Sequence, residues 1–117
     1  MNKTENVILD GLSIEMTFAL RVINNVYERN GITLTVTCGL DGNHMAGSLH
    51  PCGYAVDIRT KNIDDSKLVL KIVNEIRDDL RKINSRYSVL LETSPPHIHI
   101  QYIPQIYLDF LFLYEKG

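Results

Sequence analysis

Apolar residues recur at helical spacing between Ser13 and Glu28, where Ile14, Phe18, Val22 and Val26 fall on one stripe. Ser13 precedes them with a hydroxyl suited to accept from a free backbone N–H of the first turn. Asn30-Gly31 follows, two residues that tolerate the left-handed backbone of a helix end. The period then changes. From Ile32 to Cys38, the apolar Ile32, Leu34 and Val36 alternate with threonines, which reads as a half-buried strand. Cys38, in this apolar stretch, reads as a core residue. Gly39 to Gly47 carries three glycines with Asp41 and Asn43 and reads as a long irregular loop, the kind of segment that often carries function. Alternation returns from Tyr54 to Arg59. Tyr54, Val56 and Ile58 point one way, and Ala55, Asp57 and Arg59 the other.

A second helix is expected from Asp64 or Asp65 to Ile83, with a stripe of Leu68, Ile72, Val73, Ile76, Leu80 and Ile83. The carboxylates at its start suit the helix dipole. Strands are expected over Tyr87–Glu92 and His97–Tyr102, with Ser94-Pro95-Pro96 forcing a turn between them. Pro104 suits the first turn of a last helix reaching Tyr114. That helix is apolar nearly all round, which fits either a packed C-terminal helix or a contact surface. The order of elements predicts an α+β fold: a mostly antiparallel sheet with helices packed on one face and polar residues on the other.

Composition narrows the partners. The 117 residues fit one domain, 1–117, and 44% hydrophobic with 22% charged residues is ordinary for a globular chain. A net charge of -2 without Lys/Arg clustering argues against a nucleic-acid partner. No stretch approaches the roughly 20 apolar residues of a membrane span. Met1 to Asp10 lacks a basic start followed by an apolar run. The expectation is therefore synthesis in the cytoplasm without a signal peptide, with delivery by another agent if the target lies outside. Cys38 and Cys52 are expected to be reduced thiols. Cys52, two residues after His50, is a lesser ligand candidate. Oligomeric state is left open.

The four histidines are His44, His50, His97 and His99, and they fall in two short segments that also hold Asp57 and Glu92. His97 and His99 are two apart in a strand and so project from one face. Asp57 lies on the polar side of its own strand, and His50 lies in the loop entering it. If the two strands are close in the sheet, His50, Asp57 and one of His97 and His99 converge. Two imidazoles and a carboxylate suit zinc, and three protein ligands leave a fourth position for water.

The stretch from Ser48 to Ile58 reads S-x-H-x-x-G-x-A-x-D-[IL]. It resembles the zinc-binding motif of the D-Ala-D-Ala carboxypeptidase and L-alanyl-D-glutamate endopeptidase family, which shares its fold with the N-terminal signalling domain of hedgehog proteins. His97-Ile98-His99 resembles the H-x-H of the wider group, and together the two segments and their surroundings cover roughly half the chain. The resemblance implies His50, Asp57 and His99 as zinc ligands, with His97 as a further group able to donate to an oxyanion. It likens His44 to an additional active-site histidine of the hedgehog arrangement. Pro96 stands where many members carry the catalytic glutamate, and the resemblance points to Glu92 instead. No arginine precedes the first motif on the neighbouring strand. Arg59, on the face of Asp57, is the candidate for contact with substrate. Ser48 joins it on that side, its hydroxyl bracing the loop of His50.

The implied activity is zinc-dependent hydrolysis of peptide bonds in bacterial peptidoglycan, as in a phage lysis or entry enzyme. Two alternatives stand beside it: a hedgehog-like zinc-binding module without catalysis, and a cytoplasmic D-Ala-D-Ala dipeptidase.

Overall fold

A computed structural model describes residues 1–41, 48–106, 108 and 109. Its elements run β1 (Asn2–Lys3), α1 (Ile14–Arg29), β2 (Thr35–Cys38), β3 (Ala55–Arg59), α2 (Ser66–Ile83), β4 (Tyr87–Thr93) and β5 (Pro96–Tyr102). The five strands form one sheet in the order β1-β2-β3-β5-β4. β1 pairs parallel with β2, and every other neighbouring pair is antiparallel. The fold is the expected α+β class.

Local chemistry explains where the helices sit. Ser13 caps α1, its Oγ accepting from the Met16 N–H at 3.2 Å. The face α1 buries differs from the expected stripe. Met16, Ala19, Leu20, Ile23, Val26 and Tyr27 are buried, whereas Ile14 is 86% exposed and Phe18 46% exposed. The 3–4 spacing from Met16 to Tyr27 presents six apolar side chains to the core, a wider stripe than Ile14, Phe18 and Val22 provide, so packing selected it. Asp65 caps α2 by accepting from the Lys67 N–H at 2.9 Å. Here Ile72, Val73, Ile76 and Leu80 are buried as expected, but Ile83 at the last turn is exposed.

Both helices contribute to one cluster with the apolar side of the sheet, which includes Val36, Val56, Ile58, Val89, Ile98 and Ile100. The opposite face of β3 and β5 carries Asp57, Arg59, His97, His99 and Gln101. The β4–β5 hairpin closes between Thr93 and Pro96, which face each other across Ser94-Pro95. β2 starts at Thr35 rather than Ile32, and β1 is an element too short to show as a periodic pattern.

The largest departure lies in β2. Val36 faces Ile58, yet Cys38 faces Asp57, so the register slips by one residue between them. Such a bulge reverses the side to which the following residue points. Cys38, expected in the core, therefore stands on the polar face. Of the expected C-terminal helix, Gln105, Ile106, Leu108 and Asp109 are helical. Tyr107 and residues 110–117 lie outside the described residues. So do residues 42–47, and with them His44. Among the described residues, no helix is long and apolar enough to cross a membrane.

Candidate metal centre

Two rows of side chains cross the polar face. In the first, strand pairing sets Cys38 opposite Asp57 and Asp57 opposite His99. In the second, Arg59 stands opposite His97 and His97 opposite Glu92. Directly opposed residues in antiparallel strands have Cβ atoms about 5 Å apart, so each row brings its polar groups within reach of one another.

Asp57 is the hub. His99 Nδ1 donates to Asp57 Oδ1 at 2.9 Å, and His99 Nε2 lies 2.9 Å from Gln101 Oε1. His50 Nε2 lies 3.3 Å from the same Asp57 oxygen, and His97 Nε2 lies 3.8 Å from it. The rings of His50 and His99 meet edge to face with centroids 5.1 Å apart. His97 Nε2 also lies 3.6 Å from Glu92 Oε2, whose side chain is 48% exposed. The predicted ligands His50, Asp57 and His99 thus meet at one carboxylate, with His97 and Glu92 beside them.

His50 reaches this point from a loop, and the loop geometry is specified residue by residue. The His50 N–H donates to Ser48 Oγ at 3.3 Å. Gly53 and Tyr54 donate back to the carbonyls of His50 and Leu49, each at 3.0 Å, closing a tight turn. Gly53 adopts φ +79, and a Cβ there would meet the Gly11 carbonyl oxygen at 2.4 Å, so the turn requires glycine. His50 is buried, 4% exposed, and its Nδ1 donates to the Gly39 carbonyl at 2.8 Å. Gly39 is held in turn by Asp41, whose Oδ1 accepts from the Gly39 N–H at 2.8 Å and the Ile8 N–H at 2.9 Å.

That Nδ1 contact decides what Nε2 can do. A carbonyl oxygen only accepts, so the proton is on Nδ1, and in the neutral ring Nε2 carries a lone pair. The lone pair faces a carboxylate oxygen at 3.3 Å. Two electron-rich atoms so placed are stable together when a proton or a metal ion sits on the nitrogen. A ring held by a backbone carbonyl with its other nitrogen presented is also how metal-ligating histidines are oriented. His97 repeats the arrangement, with Nδ1 donating to the Pro95 carbonyl at 2.7 Å and Nε2 turned toward Glu92 and Asp57.

Electrostatics agree with the geometry. Burial raises the pKa of Asp57, but hydrogen bonds from His50 and His99, together with their charge, outweigh it and hold the carboxyl well below the usual carboxylate range. For His99, burial lowers the pKa, and the hydrogen bonds to Asp57 and Gln101 with the charges of Asp57 and Glu92 outweigh it, so the net shift is upward. These shifts describe an ionised Asp57 carboxylate paired with protonated imidazoles, and a cation bound there would take the place of those protons.

The donor atoms of Cys38, His50 and Asp57 all lie within 4.8 Å of one another. Cys38 joins the candidate set although alternation along its strand puts it in the core, and only the bulge moves it. Cys52 is exposed. A cleft of about 570 Å³ opens beside the site, lined among others by Cys38, Asp57, Arg59, Lys61 and His97. Arg59 lies on the cleft wall. Ser48 is placed under His50, where it braces the turn. Gly39, Asp41 and Gln101 are site-building residues that pattern alone did not single out. Comparison with protein-family models, curated proteins and solved structures gives no match to this chain in any of the three.

Proposed function

We propose that this chain is a zinc-dependent peptidase acting on the peptide part of bacterial peptidoglycan. The observation that carries the metal part is the meeting of His50, His99 and Cys38 around Asp57 on the open face of the sheet. His50 and Asp57 would form the core of the zinc site. The family resemblance adds His99 as the third ligand, and strand pairing brings Cys38 to the same carboxylate. A zinc ion at this place supplies Lewis-acid chemistry, polarising a carbonyl and lowering the pKa of water toward about 7.

The chain's own residues do the rest. Glu92, half-exposed at the rim, takes a proton from the attacking water and passes it to the leaving amine. His97 stands between Glu92 and Asp57. With Nδ1 committed to Pro95, it donates to a developing oxyanion through Nε2 when the ring carries a second proton. Arg59 and Lys61 line the cleft and bring positive charge to it, suited to an acidic peptide. The choice of peptidoglycan rests on the S-x-H-x-x-G-x-A-x-D motif and its resemblance, which is an analogy at the level of family.

The test is zinc content of the wild type and of His50→Ala, measured with release of amines from purified peptidoglycan. One zinc per chain, lost in His50→Ala together with hydrolysis, is the expected result. Zinc without hydrolysis would leave the non-catalytic zinc-binding module. Hydrolysis of free D-Ala-D-Ala but not of intact wall would select the dipeptidase. A folded wild type that takes up no zinc would overturn the proposal.

A further inference from the structure

Three donor types meet at the centre, and the least expected is sulfur. In the side-chain arrangement described, both ring nitrogens of His99 face side-chain oxygens, Nδ1 that of Asp57 and Nε2 that of Gln101. The donors left facing one another are Cys38 Sγ, a ring nitrogen of His50 and a carboxylate oxygen of Asp57. Cys38 is brought there by a specific backbone device, the register slip that sets it opposite Asp57 instead of in the core. Bulges re-aim single side chains in this way, and they recur beside functional sites. The Cys38 Sγ lies 3.8 Å from the Gly39 carbonyl oxygen and 3.5 Å from that of Asp41. The same turn holds His50 through the Gly39 carbonyl. One short segment, 38 to 41, thus presents the sulfur and orients the imidazole.

From this juxtaposition we infer that Cys38 is a metal ligand, so that the ion is held by sulfur, nitrogen and oxygen from Cys38, His50 and Asp57. The inference rests on the metal site of the proposed peptidase and puts Cys38 in the place that the motif gives to His99. Binding forms one metal–sulfur bond and releases the thiol proton to solvent. Three protein ligands still leave a position for water or substrate. A thiolate also makes the site soft, so it prefers zinc or cadmium over magnesium, calcium or manganese.

The experiment uses cobalt(II) as a spectroscopic substitute for zinc on the full chain. A thiolate bound to cobalt gives a near-ultraviolet charge-transfer band, which nitrogen and oxygen ligands do not. The chain has two cysteines, so Cys52→Ser leaves Cys38 as the one possible source. The expected result is one cobalt per chain, the band retained in Cys52→Ser and lost in Cys38→Ser. Zinc affinity in Cys38→Ser should fall at least as far as the roughly 10–100-fold typical of losing a ligand's supporting partner. Cobalt bound stoichiometrically to Cys52→Ser without the band overturns the inference, and this arm does not depend on Cys38→Ser folding. The two readings fail separately. The band without peptidoglycan hydrolysis sinks the peptidase alone, and hydrolysis by a zinc protein without the band sinks the thiolate ligand alone.

Discussion

Gly39→Ala tests whether the metal centre depends on a backbone carbonyl outside any motif. A Cβ at this position would lie 2.2 Å from the Ile8 carbonyl oxygen and 3.0 Å from Leu9 Cδ2. The first contact is with backbone, so relief requires the chain at Gly39 to move by about 1 Å, since Cβ atoms do not approach closer than 3.0 Å. That carbonyl holds His50 Nδ1 at 2.8 Å. Displaced by this amount, the pair would stand near the limit of a hydrogen bond or beyond it. Two effects follow, and they are separable. Overpacking costs about 1–3 kcal/mol of stability without metal, or roughly 4–12 °C in melting temperature at about 4 °C per kcal/mol. Loss of the partner that orients His50 weakens zinc binding about 10–100-fold, which is roughly 1.4–2.8 kcal/mol less stabilisation at a fixed zinc concentration. Thermal melts of chelator-treated and zinc-loaded protein, with a competition titration for affinity, read both. A Gly39→Ala protein that melts lower yet binds zinc as tightly as the wild type would refute the coupling of Gly39 to His50.

Gly53→Ala places a side chain at φ +79 and 2.4 Å from the Gly11 carbonyl oxygen, so it should lose about 1–3 kcal/mol in a denaturant titration, with Cys52→Ser next to it near neutral. Burial raises the phenol of Tyr27 well above its ordinary value near 10; its folded pKa exceeds the unfolded one, so this stability is complete below about pH 10 and is lost above it at up to about 1.4 kcal/mol per pH unit. Tyr27→Phe should flatten that alkaline loss in stability measured against pH, at a cost of about 1 kcal/mol near neutrality for the bond to the Arg59 carbonyl. Asp65→Ala should cost about 1 kcal/mol by removing the cap of α2, read as a shifted denaturant midpoint. Glu92→Gln should keep its zinc and lose about 100- to 10,000-fold in turnover of peptidoglycan peptide, and unchanged turnover would remove Glu92 from its role as base.

The parts of this fold that follow one period over several residues were legible in the chain. The alternation from Tyr54 to Ile58 and from Ile98 to Tyr102 placed Asp57, His97 and His99 on one face, and the pairing of β3 with β5 put Asp57 opposite His99. The α2 stripe was readable because Ile72, Val73, Ile76 and Leu80 recur at one helical spacing, although Ile83 at its end and Leu70 beside it are exposed. α1 was harder, because Ile14, Phe18 and Val22 form a periodic set of their own beside the set that is buried. Periodicity finds a stripe but cannot rank two stripes on one helix. Only the fit of Met16, Ile23 and Tyr27 against the other elements does that, and this is a tertiary property.

Cys38 fails for a different reason, and it shows what kind of residue a motif omits. The alternation from Leu34 to Val36 extrapolates to a buried Cys38, and the extrapolation holds only while the register does. A single inserted residue reverses the face, and nothing in Thr37-Cys38 itself announces the slip. The same local irregularity has a second consequence. It ends the pairing of β2 just before Gly39, whose amide is taken by Asp41 and whose carbonyl is taken by His50. The departure of the chain from the sheet and the return of His50 to Asp57 are therefore one structural event. A regular β2 would bury the thiol, carry Gly39 onward along the sheet and leave His50 without its orienting carbonyl. The candidate centre is built on that irregularity as much as on the histidine motif, which is why it cannot be read from the motif alone.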